Sequence, residues 1–589
     1  QSELRESLFN EIKNRIRETD LSLPSPYGPW LYYQRTAAGD EYPRHFRCPR
    51  PADDSLQVDQ ANEQLLLDPN ALANGGFLAL GAFSISPDHQ LLAYSLDTTG
   101  DEIYQLFIKD LATGAITTLP FEQCDGSLTW ANDNRTLFFG ELDDTHRPHR
   151  LYRHTLGSTE AKLVFEEPDG RFFLHCYRAS SERQLILQLG SKTTSEAWVL
   201  DADTPLGEFR CLATREEEHD YDVDHGQLDG QWRWLIRSNQ NGINFALYAL
   251  DEDAAKASSN SREQWRELVA HDPQVMLEGF CLNASAYVLS LREGGLPVIQ
   301  VHPAGLPSYR VQLPDAAYSL SVQDTLEFAS PRIRLRYEAL NRPAQVRQLE
   351  LASGAQQVLK ETAVLGPFDA DAYVSQRLWA TAADGTQVPI SLVARRDVLA
   401  SSEQAATPAP LYLYGYGAYG ACLDPWFSHA RLSLLERGFV FAIAHVRGGG
   451  ELGEAWYRAG KLEHKANSFS DFIACAEHLI ASGYTRPQQL AISGGSAGGL
   501  LIGAVLNQRP ELFAAAIAEV PFVDVLNTMQ NPDLPLTVTE YDEWGDPHDP
   551  AAYARIKAYA PYENVSAQPY PAMLVVAGYN DSRVQYWEA

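Results

Sequence analysis

Gly494-Gly495-Ser496-Ala497-Gly498-Gly499 places a serine among glycines, directly after the run QLAIS and directly before the apolar stretch AGGLLIGAVLNQ. A serine hydroxyl becomes a useful nucleophile when a tight strand-to-helix turn holds it clear of the sheet and a base takes its proton. G-x-S-x-G with a strand before it and a helix after it has the context of such a turn. The helix start beside it offers free N–H groups and a positive dipole end to developing negative charge. Ser496 is therefore the candidate nucleophile.

A second glycine-rich run, GYGAYG (415–420), also follows a strand and formally matches G-x-G-x-x-G. A dinucleotide site would need a helix at once and an acid about 20 residues on. ACLDPWFS follows instead, broken by Pro425, so that reading fails. Tyr416 either points a phenol into the site as an oxyanion donor or packs as a core aromatic, and the residues alone do not separate the two. HExxH and zinc-like Cys/His spacings are absent from the sequence, so neither a metal nor an organic cofactor is expected.

These residues need a scaffold. Beyond GPFDADAYVSQR (366–377), buried-type runs such as PLYLYGYG, FVFAIAHV, QLAISGGS, FAAAIAEV and AMLVVAGY alternate with helical stretches. The alternation predicts a doubly wound, mostly parallel sheet over residues 371–589. Upstream the texture is all strand. LLAYSLD, TLFFGEL, QLILQLG, RWLIRSN and AYVLSLR are each followed about a dozen residues later by a second strand. LEFASPRIRL (326–335) is a weaker candidate of the first type. Anchored on Phe107, Tyr152, Trp198, Tyr248, Gln300 and Arg347, the second strands recur at intervals of 45 to 52 residues. Four-stranded propeller blades have that period, and LYYQRTAAGDEYPRHFRCPR (31–50) supplies one more blade. A seven-bladed β-propeller is expected over 31–370. Residues 1–30 should form a charged segment packing with the domain at 371–589.

At 589 residues the chain exceeds one hydrophobic core. A net charge of −30 excludes nucleic acid as an expected partner and favours cationic ligands. No run approaches the roughly 20 apolar residues of a membrane span, and the first residues lack the apolar core of a signal peptide. Seven scattered cysteines without CxxC pairs fit a reducing compartment, so a cytoplasmic location is expected. The chain opens without a methionine, which leaves a longer natural N-terminus and a periplasmic or secreted form open.

Asp471, Leu479 and then Gly494-x-Ser496-x-Gly498-Gly499-Leu500-Leu501 resemble the active-site signature of the prolyl oligopeptidase family of serine peptidases. Cys475 stands where that signature usually has alanine. LYGYGAYGA (413–421), HVRGGGELG (445–453), NQRPELF (507–513) and YNDSRVQYWE (579–588) are similarly placed, so the resemblance runs over essentially the whole chain. PFVDVLNTM (521–529) and TEYDEWGDP (539–547) resemble the oligopeptidase B branch more than prolyl-specific members.

The resemblance implies an α/β-hydrolase domain under a propeller, and it implies roles. Ser496 matches the nucleophile, Asp581 the triad aspartate, and Tyr416 the oxyanion tyrosine acting with the Ala497 N–H. Glu540 and Asp542 match an acidic pair that prefers Arg or Lys before the cleaved bond. Asp424 matches an acid for a basic residue one position further back, although its usual companion is Trp426 here. Arg583 resembles a substrate-backbone anchor, with a surface salt bridge as the alternative. The implied function is hydrolysis of short basic peptides through an acyl-enzyme, without cofactor.

Along an α/β-hydrolase chain the triad runs Ser, Asp, His. SRVQYWEA follows Asp581 and holds no histidine, while His429, His445, His464, His478 and His548 all precede it. The expectation is a fragment whose histidine, last strand and last helix lie beyond residue 589. Prolyl-specific cleavage, ester hydrolysis, or a non-catalytic binding protein built on the same two domains are the competing readings.

Overall fold

Short alternating runs bounded by turns pair with their neighbours in sequence, because antiparallel hairpins are the shortest way to satisfy a strand's backbone. In the computed structural model, which describes residues 2–257, 260–323, 327–403 and 408–589, this gives seven consecutive antiparallel sheets of four ladder positions each. They are the blades of a propeller. Blade 4, for example, is Phe173–Arg178, Gln184–Gly190, Ser195–Asp201 and Arg210–Ala213.

Apolar faces of adjacent blades stack. Blades 4 and 5 share Ile186, Val199, Tyr221, Trp234 and Tyr248, all buried, and blades 5 and 6 share Leu235, Leu247, Leu289 and Leu291. Similar clusters join blades 1–2, 2–3, 3–4 and 6–7. Among the described residues no such cluster joins blade 7 to blade 1. That junction is polar: Arg334 donates to Pro24 O and Ser25 Oγ, Lys360 Nζ lies 2.6 Å from Asp20 Oδ2, and Arg50 lies 2.6 Å from Glu327. Two cavities of about 730 and 660 Å³ run along it.

Two expectations need correction here. The innermost strand of blade 1 comes from Asp20–Leu21 and Ser25–Tyr27, inside the segment expected only to pack with the hydrolase domain. Helix α1 (Ser2–Arg15) does pack there, through Glu11 to Arg437 at 2.8 Å and Arg15 to Ser433 Oγ at 2.5 Å. The strand expected at 326–335 runs over Arg332–Ala339 instead. Residues 327–331, ending in Pro331, form turn and coil, and residue 326 lies outside the described residues.

The second domain is a seven-stranded sheet. We label its strands β1 (Tyr373–Thr381), β2 (Gln387–Arg395), β3 (Leu411–Gly415), β4 (Val440–Ala444), β5 (Leu490–Gly495), β6 (Ala515–Glu519) and β7 (Ala572–Val576). Their spatial order is β1-β2-β4-β3-β5-β6-β7. β1 and β2 are antiparallel, and β4, β3, β5, β6 and β7 run parallel. Helices α2 (Ala466–Ala481) and α3 (Ala497–Gln508) cover the centre with Phe469, Phe472, Leu479, Leu500, Leu501 and Val505. β7 differs: each of its residues is exposed, including Met573, Leu574, Val575 and Val576. Among the described residues no helix is long and apolar enough to cross a membrane.

Candidate active site

Ser496 joins β5 to α3 with φ 55° and ψ −119°, a left-handed conformation that side chains seldom adopt. The turn is over-determined. Ser496 N donates to Glu519 O at 2.9 Å, and Phe522 and Gly499 both donate to Ser496 O. A Cβ at Gly494 would lie 2.4 Å from Gly498 O, and one at Gly499 would lie 2.4 Å from Pro521 Cβ. Glycine is required at both positions because helix and neighbouring loop close on the serine there. The Ala497 N–H, at the first position of α3, meets no acceptor among the described residues, so it is free for an oxyanion.

Tyr416 follows β3, the strand beside β5, and so stands at the same carboxyl edge of the sheet. Burial pushes its phenol up to about 12, partly offset by a side-chain hydrogen bond with Ser496. The ring thus meets the nucleophile and is not merely core. Its loop rests on α2 and the residues before it: Lys465 Nζ donates to Gly417 O at 2.5 Å, and Ser468 Oγ to Arg447 O at 2.7 Å. Asp471, also on α2, grips Arg447 through Nε at 2.8 Å and Nη2 at 2.6 Å. The signature aspartate therefore fixes the HVRGGG loop and does not touch the nucleophile.

Glu540 and Asp542 part company. They lie two residues apart on short consecutive helical turns, Val538–Glu540 and Tyr541–Trp544, which sets their side chains roughly 200° apart. Glu540 turns inward, accepting from Trp544 Nε1 at 2.9 Å and from the Tyr419 phenol, and its charge acts on Tyr416. Asp542 faces the propeller, where burial raises its carboxyl against the pull of Arg171 and Lys461. Both acids of the expected pair thus border the propeller, but Glu540 is held by Trp544 and lies 3.6 Å from Lys192, whereas Asp542 feels Arg171 and Lys461. Between them in sequence, the fully buried Glu543 accepts from Tyr419 N at 3.0 Å and Tyr457 Oη at 2.5 Å. Sequence reasoning passed over Glu543, whose only signal is its place on the Glu540 face at i+3.

Asp581 sits beyond β7, at the same carboxyl edge as Ser496 with β6 between their strands. Its Oδ1 accepts the N–H groups of Arg583 and Val584, both at 2.9 Å. Among the described residues no histidine bonds to Asp581 or to Ser496. Asp424 and Arg583 are committed elsewhere. Asp424 receives both Nη atoms of Arg292 from blade 6, at 2.7 and 3.2 Å, so it is not free for a substrate. Arg583 makes an exposed pair with Glu102 of the propeller at 3.1 Å. Trp426 packs against Tyr414, Phe441 and the Arg431 guanidinium and supplies no second carboxylate beside Asp424.

A second serine–histidine–acid array lies elsewhere in the same sheet. Ser391 Oγ is 2.7 Å from His445 Nε2, and His445 Nδ1 is 3.3 Å from Glu451 Oε1. Ser391, His445 and Glu451 are 0%, 1% and 2% exposed, so no substrate reaches them. The array ties β2 to the end of β4.

Two family models cover the chain: the prolyl oligopeptidase N-terminal β-propeller domain over residues 1–362, and the prolyl oligopeptidase family over 425–589. The chain belongs to the prolyl oligopeptidase family. Dipeptidyl aminopeptidase BI of Pseudoxanthomonas mexicana is 39% identical over 99% of this chain and 81% of its own length. Protease 2 of Moraxella lacunata is 36% identical over 99% of this chain and 82% of its own length. Oligopeptidase B from Leishmania major superposes with a TM-score of 0.92 at 34% identity, over all of this chain and 82% of its own. The chain is thus a serine peptidase of this family, close to oligopeptidase B and protease 2, with an α/β-hydrolase catalytic domain beneath a seven-bladed propeller.

Among the described residues no cluster of three or more His, Cys, Asp and Glu side chains is arranged to hold a metal ion.

Proposed function

We propose that this protein hydrolyses short peptides after Arg or Lys, through an acyl-enzyme on Ser496. The observation that carries the reading is the convergence of Ser496, the Tyr416 phenol and the Glu540 carboxylate at one edge of the sheet. Ser496 attacks the carbonyl carbon as its proton passes to an imidazole. The oxyanion takes hydrogen bonds from Tyr416 Oη and Ala497 N–H, and Asp581 orients the imidazolium. The imidazolium returns the proton to the leaving amine, and water then releases the acid by the same steps.

Glu540 supplies the preference. A half-buried carboxylate braced by two donors offers a guanidinium or ammonium a charge-assisted hydrogen bond that a neutral side chain cannot make. Asp542 lines the approach, where it attracts a second cationic group. Asp424 and Arg583 are left to domain contacts, since substrate would first have to open their pairs with Arg292 and Glu102. The propeller over the site admits short peptides and excludes folded proteins. Among the described residues no two cysteines are joined as a disulfide, which suits a reducing compartment such as the cytoplasm.

The test is hydrolysis of Arg-, Lys- and neutral-residue reporter peptides by the natural full-length polypeptide, with Ser496→Ala as control. Preference for basic reporters and its loss with Ser496 support the reading, and equal rates on all three reject it. The identity with a dipeptidyl aminopeptidase favours a second reading, removal of dipeptides from a free N-terminus. Reporters with blocked and free amino ends separate the two.

A further inference from the structure

The Glu540 pocket already holds a cation, and it comes from the other domain. Lys192 lies in the turn between Gln184–Gly190 and Ser195–Asp201 of blade 4, on the rim facing the hydrolase. The turn is fixed. Ser191 N donates to Thr194 O at 2.8 Å, Thr194 N to Ser191 Oγ at 3.1 Å, and Glu218 N to Thr194 Oγ1 at 3.0 Å. From this base the Lys192 ammonium reaches to 3.6 Å from Glu540 Oε1 and 4.6 Å from the Tyr419 ring centroid. A carboxylate on one side and an aromatic face on the other are the contacts a substrate's guanidinium or ammonium would seek.

We propose that Lys192 is an internal competitor for the substrate's basic side chain, occupying the Glu540–Tyr419 subsite at rest and yielding it on binding. The proposal rests on the reading of Glu540 given above. The two partners differ in freedom. Glu540 is 17% exposed and pinned by Trp544 and Tyr419, whereas Lys192 is 32% exposed on a flexible stem and can swing into solvent. The resting enzyme thereby avoids a half-buried carboxylate without a counter-charge. A basic side chain replaces Lys192 charge for charge, while a neutral one would have to leave Glu540 unpaired. Lys192 thus costs affinity for a basic substrate, which must displace it, and leaves a neutral one, which does not enter the subsite, untouched.

Titration calorimetry of benzamidine into this chain, its Lys192→Met variant and the two corresponding Glu540→Gln forms tests this without requiring turnover. An ion pair exposed to this degree is worth about two- to fivefold in affinity. Lys192→Met should bind benzamidine tighter by about that factor, and Glu540→Gln should abolish the gain. In the full-length enzyme the KM for Arg reporters should fall equally, with neutral reporters unmoved. Unchanged or weaker benzamidine binding in Lys192→Met, while Glu540→Gln still weakens it, overturns the competitor and leaves the pocket standing. No effect of Glu540→Gln on benzamidine overturns both. Circular dichroism of each variant confirms that the fold is retained.

Discussion

Trp544 Nε1 donates to Glu540 Oε2 at 2.9 Å, so an indole aims the acid proposed to read the substrate. One carboxylate oxygen is spent on the protein, and the other faces the cation of Lys192. An acid held this way pays little entropy when a guanidinium arrives, because its rotamer is already set.

Glu540→Gln keeps the shape and the Trp544 bond while removing the charge. KM for Arg and Lys reporters should rise at least about tenfold, the worth of a lost charged hydrogen bond, with neutral reporters little affected. Steady-state kinetics on the full-length enzyme decide it, and an equal loss on every reporter would remove Glu540 from the pocket.

Tyr416→Phe should lower kcat by roughly a hundredfold with little change in KM, because an oxyanion donor acts mainly in the transition state. The wild-type phenol, raised to about 12, keeps its proton and its donor role through neutral and moderately alkaline pH. Alkaline loss of activity below pH 10 should therefore have another origin. An unchanged kcat in the variant would return Tyr416 to packing.

Asp471→Asn should destabilise the fold by about 1.5–3 kcal/mol, since it removes the buried one of Arg447's two carboxylate partners and leaves only the more exposed Asp384. The folded fraction should keep its kcat, because Asp471 touches a supporting loop and not the nucleophile. Urea midpoints and burst-titrated activity give the two numbers separately. A large kcat loss at unchanged stability would contradict the structural role.

With no histidine among the described residues bonded to Ser496 or Asp581, this chain should hydrolyse Arg reporters only feebly. The oxyanion donors alone leave a rate several powers of ten below that of a complete triad. Robust Ser496-dependent turnover would mean that another base serves. The same chain should self-associate through β7, whose unpaired edge carries exposed Met573, Leu574, Val575 and Val576. Leu574→Lys should reduce the association seen by light scattering, and an unchanged signal would locate it elsewhere.

Lys465 gives a pH signature. Burial lowers its ammonium to about 8, whereas the unfolded chain keeps that proton up to 10.5. Between those values the unfolded state binds more protons, so stability rises with pH, by at most about 1.4 kcal/mol per unit. This contribution is complete above 10.5 and is lost as pH falls through 8. Lys465→Met should flatten the wild-type rise between pH 8 and 10 in urea titrations. Parallel curves would mean that water reaches the lysine.

The blade strands were legible because each repeats one hairpin's alternation at a steady interval. The inner strand of blade 1 was not, because Pro24 and Pro26 read as breakers. That strand pairs on one side only, where a proline's missing N–H does no harm. At the site, Ser496 was readable from local spacing, since one turn creates the elbow. Glu543 and Lys192 were not. A buried glutamate looks like a solvated one in sequence, and Lys192 matters only because a blade 300 residues upstream of the elbow docks over it. Asp424 shows the converse: the residue was visible, but its partner Arg292 was not.

The polar junction of blades 7 and 1 makes the propeller a split washer. Six joints are apolar and tighten in strongly hydrated salts, while the seventh depends on ion pairs that salt screens. Ionic strength therefore acts on the ring with opposite sign at one place, so force, heat or salt all find the same cut, and a ring that parts there keeps every blade intact.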